Sequence, residues 1–346
     1  MKKPVFNGLF LHLRQLNEKT KAKQTFMKPK KQHYVPQFIL KNFAYGKNEQ
    51  IWVFDKRNGK RFCSSIKDSA CENYFYETSD DIPDVGMEEK LSQIEGANSK
   101  IFRKIISEES LENLSSTEHK FLCLFTAIQF LRTKTIREEI KTTNDLLVAW
   151  FENDGISIDN VENLEKMTVE DISNAHVHCL NSEAIKLLPH FLDKTLSLVK
   201  APKGSRFFIS DNPITRRNHF PIEHRGNNGV ASEGIEIHFP ISFNLCLVFL
   251  CSKTTEIIKN VINEELQRSK MGIGFPIDIS EHIKFIDDLN DPKSTSINVE
   301  NVLFYNSLQV IQSSRFIYSN EDDFELVEDM LKTNPEVKFS PEIVSN

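Results

Sequence analysis

Residues 115–140, SSTEHKFLCLFTAIQFLRTKTIREEI, decide the fold class. Ser115 followed three residues later by Glu118 is a capping-box pattern, so a helix opens here. The helix is expected to run on through Ile140. Its middle, FLCLFTAIQFL, is apolar almost all round, which places the central turns inside the protein. Upstream, Met87, Leu91, Ile94, Ala97, Ile101 and Ile105 recur at spacings of three and four and predict a second helix. Further helices are expected over about 181–199 and 297–312.

Strand signals lie to either side of this helical middle. QIWVFDKRNGKRFCSSI (50–66) carries two β-rich runs around Asn58-Gly59, a strong hairpin signal. SRFFIS (205–210), GIEIHFP (234–240), LCLVFLC (245–251) and RFIYS (315–319) read as short strands. The expected class is α+β: a helical middle flanked by an N-terminal β-hairpin and short C-terminal strands that could share one sheet. The acidic stretch 152–172 (ENDGISIDNVENLEKMTVEDI) is weakly periodic and reads as a linker or exposed insertion. The organisation expected is a basic arm over 1–31, one domain over 32–320 and an acidic tail over 321–346.

A chain of 346 residues with 39% hydrophobic and 27% charged residues can bury a sizeable core and has an ordinary globular composition. The longest apolar run, Phe243 to Cys251, is too short to span a bilayer. The opening MKKPVFNGLFLHLRQ imitates a secretory leader, but Pro4, Asn7 and His12 interrupt it and no small-residue cleavage site follows. A cytoplasmic protein is expected. None of the six cysteines forms a CxxC, which favours free thiols over disulfides or a zinc knuckle. Oligomeric state is not legible.

Charge is unevenly spread. Residues 1–67 hold sixteen Lys or Arg against three acids (Glu18, Glu49, Asp55), a balance of +13. The remaining 27 of the 43 bases face 46 of the 49 acids, a balance of −19. A basic front end could attract nucleic acid or another polyanion. It could equally pair internally with the acidic body, or stay solvated.

No P-loop, HExxH, GxSxG or dinucleotide-binding glycine pattern is present. What remains is a scattered polar set. In QHYVPQFILKNF (32–43), Pro36 suits the first turn of a helix, so His33 ends an extended segment and Gln37 opens the helix. Asp211 and Asn212 close a strand in FFISDNPI, a position suited to an active-site acid and also to an Asx turn. Glu88 and Glu95 are seven apart, on one helix face about 10 Å apart along the axis. With Asp211 they could hold Mg²⁺ or Mn²⁺, or they could be the solvated shoulder of the helix. Gln129 and Arg132 lie one turn apart in the buried helix, where a guanidinium demands an acid or a phosphate. His176 and His178 in HVHC are two apart and do not share a helix face, which argues against zinc there.

Taken in order, HYVPQFxLxxF at 33–43, the WVFDK–NG hairpin, CENYFY at 71–76, MExxLSxIE at 87–95, QFLRT at 129–133, FxISDNPI at 207–214, FPIS at 239–242 and the closing SRFIYS resemble the prokaryotic family known as domain of unknown function 4238. The resemblance covers about residues 30–320. It implies kinship of fold and a shared polar set: His33, Gln37, Glu72, Glu88, Glu95, Gln129, Arg132, Asp211, Asn212 and Asn306. It supplies no activity.

The leading functional expectation is a metal-assisted hydrolase of a phosphodiester, nucleotide or nucleic acid. His33, Arg132 and Asp211 would be catalytic, Gln37, Gln129 and Asn212 would bind substrate, and Glu88, Glu95 and Asp211 would hold the metal. The alternative is a non-enzymatic effector or sensor that recognises an anionic ligand or nucleic acid with the same residues. A third possibility is a buried structural network.

Overall fold

The computed structural model describes residues 29–47, 49–78, 86–161, 164–220, 228–272 and 278–339. The chain divides into two units, Met1–Lys30 and Lys31–Asn346. The arm assigned to 1–31 therefore lies almost wholly outside the described residues.

Strand β1 (Lys31–His33) leads through Pro36, at φ −59° and ψ 141°, into the one-turn helix α1 (Gln37–Leu40). The extended-then-helical reading of 32–43 holds. Strands β2 (Gln50–Asp55) and β3 (Lys60–Ser65) pair antiparallel from Asp55 opposite Lys60 to Gln50 opposite Ser65. Gly59 takes the positive φ of +69° that the turn requires, and the Asp55 carboxylate fastens the turn by accepting from Arg57 N–H and Asn58 Nδ2. Strand β4 (Cys71–Asn73) returns to pair with β1, so that His33 stands opposite Cys71.

Helix α2 (Met87–Glu108) buries Met87, Leu91, Ile101 and Ile105, as their spacing requires. The Ser115–Glu118 capping box opens α3 (Ser116–Leu131). The helix expected to continue to Ile140 is two helices: Thr133, at ψ 161°, breaks it, and α4 (Lys134–Asn153) starts afresh. Tertiary bonds explain the break. The carbonyl of Leu131 is taken by His176 Nε2 at 2.9 Å and that of Arg132 by the Tyr76 hydroxyl at 3.2 Å, so neither needs a further helical turn.

Helix α5 (Val169–Leu192) corrects two expectations. It opens inside the supposed acidic linker, where Thr168 and Asp171 form a second capping box. It ends before the segment read as its C-terminal turn, because TLSLVK is strand β5 (Thr195–Lys200) with Leu198 and Val199 buried. After β6 (Ile209–Ser210) and β7 (Thr215–Asn218), the expected strands β8 (Ile235–Ser242) and β9 (Leu245–Leu250) form an antiparallel pair. Helices α6 (Ser252–Lys270) and α7 (Ser280–Asn290) were not foreseen. They carry few buried side chains, so the apolar periodicity that betrays a core helix is weak. Strand β10 (Thr295–Ser296), helix α8 (Val299–Gln312) and strand β11 (Phe316–Ser319) follow. Within the region read as an acidic tail, α9 (Glu325–Thr333) buries Val327 and Leu331.

The protein is α+β. One four-stranded sheet, in the order β3-β2-β11-β6, joins the N-terminal hairpin to C-terminal strands; the other C-terminal strands form a five-stranded sheet, β10-β5-β9-β8-β7. Helices α2 and α3 pack on the latter through Phe102, Phe125 and Phe239, whose ring centroids lie 5.4 and 5.8 Å apart for Phe102–Phe125 and Phe102–Phe239. A second apolar cluster, Phe54, Phe208, Val310, Ile317, Phe324, Val327 and Leu331, seals the four-stranded sheet against α8 and α9. Among the described residues no helix is long and apolar enough to cross a membrane.

Candidate active site

The break after α3 leaves Arg132 at a helix C-terminus, 1% exposed, with its guanidinium turned toward β1 and α2. Nη1 donates to Glu95 Oε1 at 2.7 Å, Nη2 to the His33 carbonyl at 2.5 Å, and Nε to the Tyr76 hydroxyl at 3.1 Å. Burial opposes the charge, but Tyr76 and Glu95 more than offset it and raise the guanidinium's pKa. Arg132 is thus the paired arginine that its position demanded. It acts as a tie between helix, strand and loop.

Glu88 stands two turns before Glu95 on α2, as the seven-residue spacing expects. Among the described residues its buried Oε2 has no hydrogen-bond partner. Burial pushes this carboxyl up to about 7, with Glu95 and Glu77 adding to the rise and Arg132 pulling against it. His33, also buried, has an Nε2 with no partner among the described residues. Burial lowers its pKa, while the Ile66 backbone and the charge of Glu95 work the other way. Both groups answer electrostatically to Glu95 and Arg132, and Arg132 itself bonds Glu95 and the His33 backbone, so these four residues share one region of the fold. Gln129, buried on α3, donates to the Tyr34 carbonyl at 2.8 Å, and its Oε1 has no partner among the described residues. Gln37 is half-buried in the opening turn of α1, and Glu72 pairs with Lys134 at 2.6 Å, tying β4 to α4.

Asp211 is occupied elsewhere. Its two carboxylate oxygens accept the amide hydrogens of Ser314, Arg315 and Phe316 at 2.8, 2.7 and 2.8 Å. Burial raises its pKa, and the same amides with Lys56 oppose that rise. Asn212 donates to the Gln312 carbonyl at 2.9 Å, while Asn306 accepts from Phe208 N–H and donates to the Arg206 carbonyl. The SDNP segment and Asn306 therefore pin β6 to α8 and to the turn before β11. The Asx-turn reading was too local: the partners of Asp211 lie more than 100 residues away.

The proposed metal set does not fit. Asp211 accepts three backbone amides, Glu95 is ion-paired with Arg132, and among the described residues no group of three or more His, Cys, Asp or Glu side chains could hold a metal ion.

Sequence reading missed Tyr76, which looked like one more core aromatic in CENYFY, and Gln32, whose side chain accepts from Tyr76 N–H at 2.6 Å. It also missed Lys56, fully buried beside the hairpin turn. Lys56 donates to the carbonyls of Val310 and Ser313 at 2.7 and 2.9 Å, and burial brings its pKa down to about 8. Arg315 clasps Asp55 with two bonds of 3.0 and 2.6 Å. His176 is a buried structural histidine: Arg137 Nε donates to its Nδ1 at 3.3 Å, and burial lowers it to about 4.

The sequence profile of a family described as "Protein of unknown function (DUF4238)" matches residues 31–323. The chain belongs to this family. No curated protein and no solved structure gives a match. In this DUF4238 protein the polar set named by the resemblance splits into two groups. His33, Glu88, Glu95, Gln129 and Arg132 gather near β1 and α2, whereas Asp211, Asn212 and Asn306 hold the sheet to α8.

Proposed function

We propose that the polar cluster where β1, α2 and the end of α3 meet is the acid–base centre of a hydrolase. Glu88 is its proton donor, His33 its base, and Arg132 a positioning residue that holds the His33 backbone and Glu95. The observation that carries this is Glu88: a buried carboxyl that titrates near neutrality and has an oxygen unpartnered among the described residues can give or take a proton at working pH.

The substrate class we assign is a phosphodiester, nucleotide or nucleic acid, drawn by the basic balance of residues 1–67. Part of that charge is used within the protein, since Lys41 pairs with Glu49 at 3.0 Å and Arg57 and Arg61 approach Glu138, Asp322 and Glu328 at 3.9, 3.7 and 3.6 Å. Steering toward a polyanion therefore falls to fewer side chains than the count suggests. The cytoplasm of a prokaryotic cell is the compartment we infer, in keeping with cysteines that are unbridged.

The test is hydrolysis of a panel of nucleotides, cyclic dinucleotides and activated phosphodiesters by wild type, Glu88→Gln and His33→Gln. Either variant is expected to lose about 10²–10⁴-fold in kcat/KM while remaining folded. Full activity in Glu88→Gln, or none in the wild type toward the whole panel, contradicts the reading.

A second reading, a buried structural network that pins strand, helix and loop together, is favoured by the engagement of all three Arg132 nitrogens with protein partners. It expects Arg132→Ala to unfold the protein rather than leave it folded and inactive.

A further inference from the structure

We propose that the cavity between α8, α9 and the turn before β6 is a binding site for a small amphipathic amine, an ammonium group carried on a short hydrocarbon body. The cavity has a volume of about 350 Å³, within the range of small-molecule sites. Its floor is apolar: Phe208 and Val302 are buried there, and Leu303 and Leu326 complete it. Its rim carries three carboxylates, those of Asp323, Glu325 and Asp329. It shares no residue with the cluster assigned to acid–base chemistry.

The two helices leave this space because their inward stripes are already used. On α9, Val327 and Leu331 dock on the cluster around Phe54 and Ile317, while Leu326 is only partly buried against it. On α8, Asn306 is spent on the Phe208 amide and the Arg206 carbonyl at 2.8 and 2.9 Å, which fixes the turn before β6 at the edge of the cavity. Val299 and Leu303, one turn apart on α8, both line the cavity and are 47% and 45% exposed. Apolar side chains left in water at the mouth of a cavity gain when a hydrocarbon group covers them.

Charge decides the class of ligand. Among the described lining residues the one base is Arg206, and it is ion-paired with Glu321. Asp322 and Glu328 are taken up by Arg61 at 3.7 and 3.6 Å, whereas Asp323 and Glu325 make no ion pair among the described residues. Asp329 touches Lys332 at 3.1 Å, but the two side chains are 64% and 74% exposed, where such a pair contributes little. Acids at the start of α9 suit the helix dipole, which accounts for Asp323 and Glu325 but not for Asp329, beyond the first turn. Three carboxylates around one opening repel an anion and give an uncharged ligand nothing; an ammonium group gains at the rim while its hydrocarbon part covers Leu303 and Leu326.

The experiment titrates the full chain with three probes of equal chain length, hexylamine, 1-hexanol and hexanoate, at pH 7 and low salt, and reads amide shifts by NMR. Hexylamine is expected to give saturable shifts at residues 204–206, 302–306 and 323–329, with 1-hexanol about tenfold weaker and hexanoate giving none. Asp323→Asn combined with Glu325→Gln is expected to weaken hexylamine about tenfold and leave 1-hexanol unchanged. Leu303→Trp, which fills the mouth from an exposed position, is expected to abolish both. Melting temperatures verify that the variants are folded. No saturable shift with hexylamine, hexanoate or 1-hexanol binding as tightly as hexylamine, or unchanged binding in folded Leu303→Trp, overturns the proposal. If a variant does not fold, the comparison of the three probes on the wild type decides.

Discussion

Glu95 Oε1 lies 2.7 Å from Nη1 of Arg132, and the guanidinium so paired is 1% exposed while its carboxylate partner keeps an edge toward solvent at 26%. The asymmetry makes the two residues unequal in mutation. Glu95→Ala leaves a charge stranded in the interior, where an uncompensated buried ion costs about 3–5 kcal/mol. Arg132→Lys keeps the charge but cannot reach Glu95, Tyr76 and the His33 carbonyl together, and is expected to cost about 2 kcal/mol. Urea denaturation of both variants checks the order; equal and small effects would show the pair to be incidental.

Glu88 gives a pH signature of its own. Its carboxyl titrates near 7 in the fold and near 4.5 in the unfolded chain. Between these values the folded state holds the extra proton, so stability falls as pH rises through that window and the loss is complete above it. Glu88→Gln removes the term. It is expected to match wild type at pH 4 and to melt higher than wild type at pH 8, read by calorimetry.

His176 works in the opposite sense. Its folded value of about 4 lies below the ordinary 6.5, so the unfolded chain binds the extra proton and stability is lost as pH falls from 6.5 toward 4. The shift corresponds to about 3 kcal/mol for this fully buried ring. His176→Gln is expected to start from a lower stability at pH 7 but to lose less of it on acidification.

Asp211 separates a structural from a metal-binding role. Asp211→Asn cannot satisfy three amide donors with one carbonyl oxygen, and is expected to cost about 3 kcal/mol or more. Mn²⁺ or Mg²⁺ is expected to leave the wild-type melting temperature unmoved; a rise of several degrees that vanishes in Glu88→Gln would restore the metal set.

Much of this was legible from local pattern. Asn58-Gly59 fixed the hairpin, and the Ser115–Glu118 box marked where α3 begins, because those signals act within a few residues. The end of α3 was not legible, since it depends on His176 and Tyr76, which reach the terminal carbonyls from 45 and 56 residues away in sequence. Glu88, Glu95 and Arg132 could be nominated because helical spacing and the cost of a buried guanidinium are sequence-level facts. Asp211 was misassigned for the converse reason: a carboxylate at a strand end looks the same whether it faces a cleft or the amides of a distant turn. Tyr76 left no signal at all, because a tyrosine among aromatics shows its ring and not its hydroxyl.

The central claim is that Glu88 carries a proton near neutrality in the folded protein. Carboxyl ¹³C NMR on glutamate-labelled protein, with Glu88→Gln to assign the resonance, measures this directly. A midpoint near 7 is the expected result. A midpoint near 4.5 would mean that the Glu88 carboxylate is solvated and ionised, and the acid–base centre would have no proton donor.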